Sequence, residues 1–265
     1  MHERAPSADA ARRFVLSAQL PPSPTLDGPA LESVTAATSE APVSLRTTEP
    51  QALVVGSELV AFAPGVLSTF REDLVNSTLL AQLSANEQVP DRTRIFDWYD
   101  VYFDALAQIG WSVEDRDFST HVQAGQDFEA HAAIQRVLTN ALGSGSDVLG
   151  LVKRTLEGMQ AADDSRAVVL FHRETRTAQS AHFQVGAVEA GQAGEPFATL
   201  VAFSMQARVQ TTQLLFLRSR TSDVTLRHCS SRIRIDPAVA EAVRGPLADR
   251  LATHSLAFVK AMPAL

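Results

Sequence analysis

Apolar residues recur at helical spacing through the first half of the chain and at strand spacing through much of the second. Val66, Phe70, Leu74, Leu79 and Leu83 predict a helix over about Val66–Ala85. After Pro90, with Asp91 as N-cap, a stripe running from Ile95 through Trp98, Tyr99 and Tyr102 to Ile109 predicts a second helix, ended by Gly110. "WSVEDRDFSTHV" (Trp111–Val122) reads as a strand. Asp127 is expected to cap a third helix reaching Leu142, and a fourth runs from about Asp147 to Ala162 after the break at "GSGSD". The pattern then switches. "AVVLFHR" (167–173), "AQSAHFQVGAVEA" (178–190), "FATLVAFSMQA" (197–207), "TQLLFLRSR" (212–220) and "DVTLRHCSSRIRI" (223–235) read as strands joined by short polar connections. Asp236-Pro237 opens a last helix to about Ala261, with Pro246 expected to bend or split it. Helices, then consecutive strands, then a helix predict an α+β class with an antiparallel β-sheet meander.

Residues 1–50 lack this periodicity. They hold seven of the 13 prolines and many Ser, Thr and Ala, and read as a disordered leader before a single α+β domain over 51–265. "ALVVGSELVAF", just inside that domain, reads as a short strand or a packed lead-in. Arg12-Arg13 before "FVLSAQL" has the look of a twin-arginine start, but the apolar run stops at Pro21-Pro22. The expectation is therefore a cytoplasmic protein, or one secreted without a recognisable signal peptide.

Composition narrows the chemistry. The 265 residues carry a formal charge of −7, which argues against a nucleic-acid partner. Lys153 and Lys260 are the only lysines, so a diffuse polybasic contact with a membrane has little to work with. One cysteine excludes an intramolecular disulfide, and no Cys/His spacing suggests zinc. The histidines are scattered; His172 and His182 would fall on neighbouring strands, without a third ligand. Asp97, Asp100 and Asp104 share a helix face and read as a solvated acidic surface. "GSGSD" follows a helix and lacks a P-loop lysine, so it reads as a helix connector. No metal or catalytic constellation emerges.

The remaining candidate is "TLRHCSSRIRI", Thr225–Ile235, which holds Cys229. Neighbouring residues on a strand face opposite ways, so His228 and Cys229 should not form a nucleophile–base pair. Val224 and Leu226 lie on one parity and Ile233 and Ile235 on the other, which predicts a bulge or break near Cys229–Ser231. Cys229 reads as a small buried hydrophobe, a reactive thiol, or a lipid-modified thiol, with His228, Ser230 and Ser231 as its neighbours.

A helical first half, a strand-rich second half, a final helix and a single late cysteine in "HCSS" resemble the bacterial virulence factor Evf. The resemblance implies a sheet between helical layers, and covalent attachment of a fatty acid (palmitate) to Cys229 as the one non-polypeptide group. It implies no enzymatic activity, and a virulence or effector-like role with reversible attachment to membrane lipid. The alternatives are an unmodified soluble ligand- or protein-binding domain, and an enzyme with a dispersed site.

Overall fold

A computed structural model of the chain describes residues 5–22, 43–120, 128–161, 165–175, 180–191, 195–207, 218–219 and 224–262. Helix α1 (Ala8–Ser17) falls inside the expected disordered leader. Ser7 caps it by accepting from the Ala10 amide, and Ala11 and Val15 on one face are fully buried. Arg250 donates to the carbonyls of Leu16 and Ala18, which ties its end to the last helix. The four-residue spacing of Ala11 and Val15 was too short a signal to stand out from its polar surroundings.

"ALVVGSELVAF" is a hairpin of β1 (Gln51–Val55) and β2 (Glu58–Phe62). Its two-residue turn places Gly56 at φ 56°, a conformation glycine adopts without strain. Helix α2 (Ser68–Gln88) is buried on nearly every side. Helix α3 (Ile95–Gln108) follows, and Asp91 does not cap it: its carboxylate instead accepts from the amide and hydroxyl of Thr93, closing a turn just upstream. The expected strand 111–122 is two short pieces, β3 (Trp111–Val113) and β4 (Ser119–Thr120). After β5 (Phe128–Glu129) come α4 (Ala130–Leu142) and α5 (Asp147–Ala161). Asp127, the expected cap of α4, lies outside the described residues.

The stretch 167–173, expected as a strand, is helix α6 (Arg166–Thr175). Ala167, Val168, Leu170 and Phe171 are buried while Val169 between them is 53% exposed, a helical and not an alternating pattern. The long strands are β6 (Ser180–Ala190), β7 (Pro196–Ala207) and β9 (Val224–Ile235). Of the expected strand 212–220 only β8 (Arg218–Ser219) is described, paired with β5 away from the main sheet. Asp236 caps α7 (Pro237–Phe258), accepting from the amides of Ala238 and Val239. Pro246 does not split that helix, and its expected last turn is strand β10 (Val259–Ala261).

The main sheet runs β10-β1-β2-β6-β7-β9-β3, with β4 also on β9. It is mostly antiparallel, and β6, β7 and β9 form the expected meander. One pair departs from it: β2 and β6 are parallel, because the chain leaves the hairpin and returns only after five helices. Helices cover both faces. One apolar cluster joins α1, α2, α3 and α7 to residues such as Val60, Leu200, Ala202 and Ile233; the other joins α4, α5 and α6 to Leu59, Val185, Phe203 and Leu226. This is an α+β fold with its sheet between helical layers.

The helical reading of 166–175 has a direct check. Phe171→Ala should cost about 3–5 kcal/mol by removing a buried ring, whereas Val169→Lys should fall within about 0.5 kcal/mol of wild type. Urea unfolding of both variants measures this; a strand would make the two positions, which share a parity, behave alike.

Candidate functional site

Strand β9 carries the residues singled out in the sequence, and it is regular. Its pairing with β7 runs without a break from Ala198↔Ile233 to Ala207↔Val224, so the bulge expected near Cys229–Ser231 is not in this strand. The change of apolar parity has another cause. Both faces of the sheet are covered, so Leu226 enters one core and Cys229 and Ile233 enter the other. The irregularity lies in the neighbour. From Val113↔Ile233 to Ser119↔His228 the β3–β4 segment advances six residues while β9 advances five. One extra residue therefore sits in 114–118, a bulge on the edge of the sheet. Ser231 holds it: its buried hydroxyl oxygen accepts from the amides of Glu114 at 2.9 Å and Asp115 at 3.2 Å.

The four candidate residues thus separate. Cys229 is 3% exposed and faces the α1–α2–α3–α7 layer. Burial, and after it the charges of Asp115 and Asp117, push its thiol up to about 12, against the weaker help of an Ala202 backbone hydrogen bond. At neutral pH it is a protonated, packed thiol, not a nucleophile. His228 points to the other face, 6.5 Å from the Phe203 ring centroid, so no Cys–His pair forms. Ser230 is half-buried opposite Val201, and Ser231 is a structural acceptor. His172 and His182 do not meet either, since His172 is on α6 and His182 packs at a tilt against Trp98 of α3, on the other face of the sheet. Asp97 and Asp104 are exposed and paired with Arg94 and Arg116, and Asp100 is exposed beside them. In "GSGSD" Ser146 donates to Glu189 at 2.7 Å and accepts from the Leu149 amide, fixing the start of α5 to β6.

A buried polar cluster went unread in the sequence. Glu58, at the start of β2, is fully buried. Its Oε2 accepts from the Tyr102 hydroxyl at 3.3 Å, and among the described residues its Oε1 has no hydrogen-bond partner. Across the parallel pair stands Gly186, where a Cβ would come within 2.7 Å of that Oε1. Nearby, the Tyr99 hydroxyl reaches the Phe203 carbonyl at 2.7 Å and receives a hydrogen bond from Gln184, while Ser57 and Gln82 bond to each other. Burial pushes the Glu58 carboxyl up to about 8, against the hydroxyls of Tyr102 and Thr78, and holds both tyrosines well above their ordinary range. Burial, then the charge of Arg92, brings His182 down to about 3. All these groups are neutral near pH 7. The only cue in the sequence was a lone carboxylate in an apolar strand.

A groove lies elsewhere, along β10. Its volume is about 1140 Å³. It is lined by the segment 43–50, the start of β1, strand β10, and residues of α2, α5, α6 and α7. Val75, Leu151, Leu256, Val259 and Met262 give it an apolar lining. Among the described residues its charged members are Arg46, Arg154, Arg166 and Lys260 against Glu49 and Glu72, so four cations face two carboxylates. Neither Cys229 nor Glu58 lines it.

No family model matches the chain, and no curated protein does. Among solved structures it is similar to a delta-endotoxin, with a TM-score of 0.40 at 9% identity over 78% of this chain and 93% of that one. It is similar to the Evf virulence factor, with a TM-score of 0.36 at 10% identity over 73% and 78%. It is also similar to the activated Cyt2Ba monomer of Bacillus thuringiensis subsp. israelensis, with a TM-score of 0.31 at 13% identity over 67% and 95%. These structural neighbours are toxin and virulence-factor folds, and the expected likeness to Evf is present at low specificity.

Glu58 and His182 set opposite pH limits on stability. Glu58 keeps its proton in the fold to about pH 8 but loses it near 4.5 when unfolded. Between those values unfolding releases a proton, and stability falls as pH rises. His182 stays neutral in the fold to about pH 3 but gains a proton near 6.5 when unfolded. Between those values unfolding takes up a proton, and stability falls as pH falls. The two contributions cancel between 4.5 and 6.5. Urea midpoints across pH should therefore show a plateau with two falling arms; Glu58→Gln should flatten the alkaline arm and His182→Gln the acid one. Arms unchanged in both variants would refute the assignment.

Proposed function

We propose that the chain is a non-enzymatic, lipid-associated protein that holds the apolar chain of an anionic amphiphile, such as a fatty acid, in the groove along β10. The observation that supports this is the pairing of an apolar lining with an excess of cations, four against two, in a chain of net charge −7. An apolar cleft with a few placed polar groups is the usual form of a small-molecule site. A single acyl chain contributes about 0.8 kcal/mol per buried methylene, enough for marginal and reversible attachment to a membrane. The effector-like role expected from the Evf resemblance belongs to the same proposal. Palmitate on Cys229 is the covalent version of it. That version requires the sulfur outside the core, as in a chain not yet folded, because in the fold the thiol is buried and protonated. The groove requires no such step.

Calorimetric titration with palmitate tests the reading. Saturable binding near one equivalent is expected, at least tenfold weaker in Ala252→Trp, which fills the groove, and weaker in Arg154→Glu. Hexadecanol should bind less tightly than palmitate. Absence of saturable binding, or binding indifferent to both substitutions, refutes it. Intact mass separates the covalent version: protein from its native host carrying a hydroxylamine-sensitive acyl mass that Cys229→Ser abolishes would move the lipid from the groove to the sulfur.

A further inference from the structure

The carboxyl of Glu58 stands at the junction of three elements. It projects from β2, beside the parallel strand β6, toward α2 and α3. The titratable groups around this junction are Tyr102 and Tyr99 from α3, His182 from β6 and Cys229 from β9. The uncharged side chains are Thr78 from α2 and Gln184 from β6. None of these supplies a positive charge at neutral pH; Arg92, whose charge acts on His182, is paired with Glu174, and among the described residues Glu58 has no ion pair. The Tyr102 hydrogen bond to Oε2 is long at 3.3 Å, and the other oxygen faces the notch left by Gly186. A protonated carboxyl fits such a place. A carboxylate there would be an uncompensated buried charge, which costs several kcal/mol unless water or a cation reaches it. Relief requires parting the helices that seal it, against contacts such as Gln82 to the Val55 carbonyl and Tyr99 to the Phe203 carbonyl that hold them on the sheet. Those helices are joined to each other, Trp98 on α3 donating to Asn86 of α2 at 2.8 Å, and so would move together.

We propose that Glu58 is a proton-operated latch: while its carboxyl carries a proton the α2–α3 pair stays docked on β2 and β6, and loss of the proton loosens that pair as a unit. Opening is then a local event with its own proton linkage, separate from global unfolding. Above pH 6.5, where His182 is neutral in both states, one proton leaves on opening until the carboxyl titrates in the closed form near pH 8. The opening constant should rise about tenfold per pH unit over this range, about 30-fold in all, and level off beyond it.

Amide hydrogen exchange between pH 6.5 and 9.5, corrected for the intrinsic rate, reads this directly. Amides in Glu58–Phe62, Ser68–Gln88 and Ile95–Gln108 of the wild-type protein should lose protection together by about 30-fold, while α5 and α6 do not change. Glu58→Gln should abolish the pH dependence. Tyr102→Phe gives an independent signature should Glu58→Gln not fold: the phenol hydroxyl favours the charged carboxylate, so its loss should move the levelling-off to higher pH. A wild-type profile flat across this range, an undiminished rise in Glu58→Gln, or a shift to lower pH in Tyr102→Phe overturns the proposal.

Discussion

A sheet covered by helices on both faces has no solvated side on which to leave polar groups. Along β2 and the inner lengths of β6, β7 and β9 side chains of both parities enter a core, and exposed positions such as Ala190, Gln206, Arg232 and Arg234 lie toward the strand ends. Each inward polar group must then find a partner within the protein or remain neutral, because desolvation penalises an unpaired charge far more than a hydrogen-bonded dipole. The central strands answer in both ways. Gln184 and Tyr99 bond across the sheet–helix boundary, Ser57 bonds Gln82 across the hairpin turn, and Ser231 accepts two amides. Glu58 and His182 are shifted by burial until neither carries charge. The parallel pairing of β2 with β6 brings these groups into one place, since it sets Glu58 beside Gln184.

The same constraint separates the chemistry at Cys229 from the molecule's accessible surface. A thiol on an inner strand of a two-sided sheet is packed by construction, and the carboxylates of the neighbouring bulge make it a still poorer thiolate. Among the described residues an open groove lies instead at β10. At β10 the strands become short, the helices diverge, and side chains from both layers line one groove. The two features are thus distinct in kind: one is an inert atom in the core, the other an open, charged-rimmed cleft.

Much of the architecture was legible. Stripes such as Val66–Leu83 and Ile95–Ile109 fixed α2 and α3 well, and the alternation of 197–207 fixed β7. The errors have physical origins. In "AVVLFHR" every residue to Phe171 is apolar, so periodicity could not distinguish a helix from a buried strand; only the exposure of Val169 decides it. The parity change in 224–235 was read as a bulge in that strand, but a sheet buried on both faces accepts either parity and the strand is regular; the extra residue lies in the neighbouring edge segment. Strand parity rightly kept His228 from Cys229. The groove could not be read, because its lining comes from five separate stretches of chain that only the fold assembles. Glu58 was overlooked because one acid in an apolar run looks like the end of a strand.

The bulge at 114–118 has a bearing beyond the residues it covers. A regular outer strand there would present an unbroken row of amides and carbonyls, a template for another chain. Instead the edge is split into pieces of three and two residues, with Asp115, Arg116 and Asp117 at the gap. At the opposite end β10 is only three residues long. A sheet whose inner strands are long, apolar and well suited to self-association is therefore closed by two interrupted margins, and its tendency to aggregate is curbed by the way it ends.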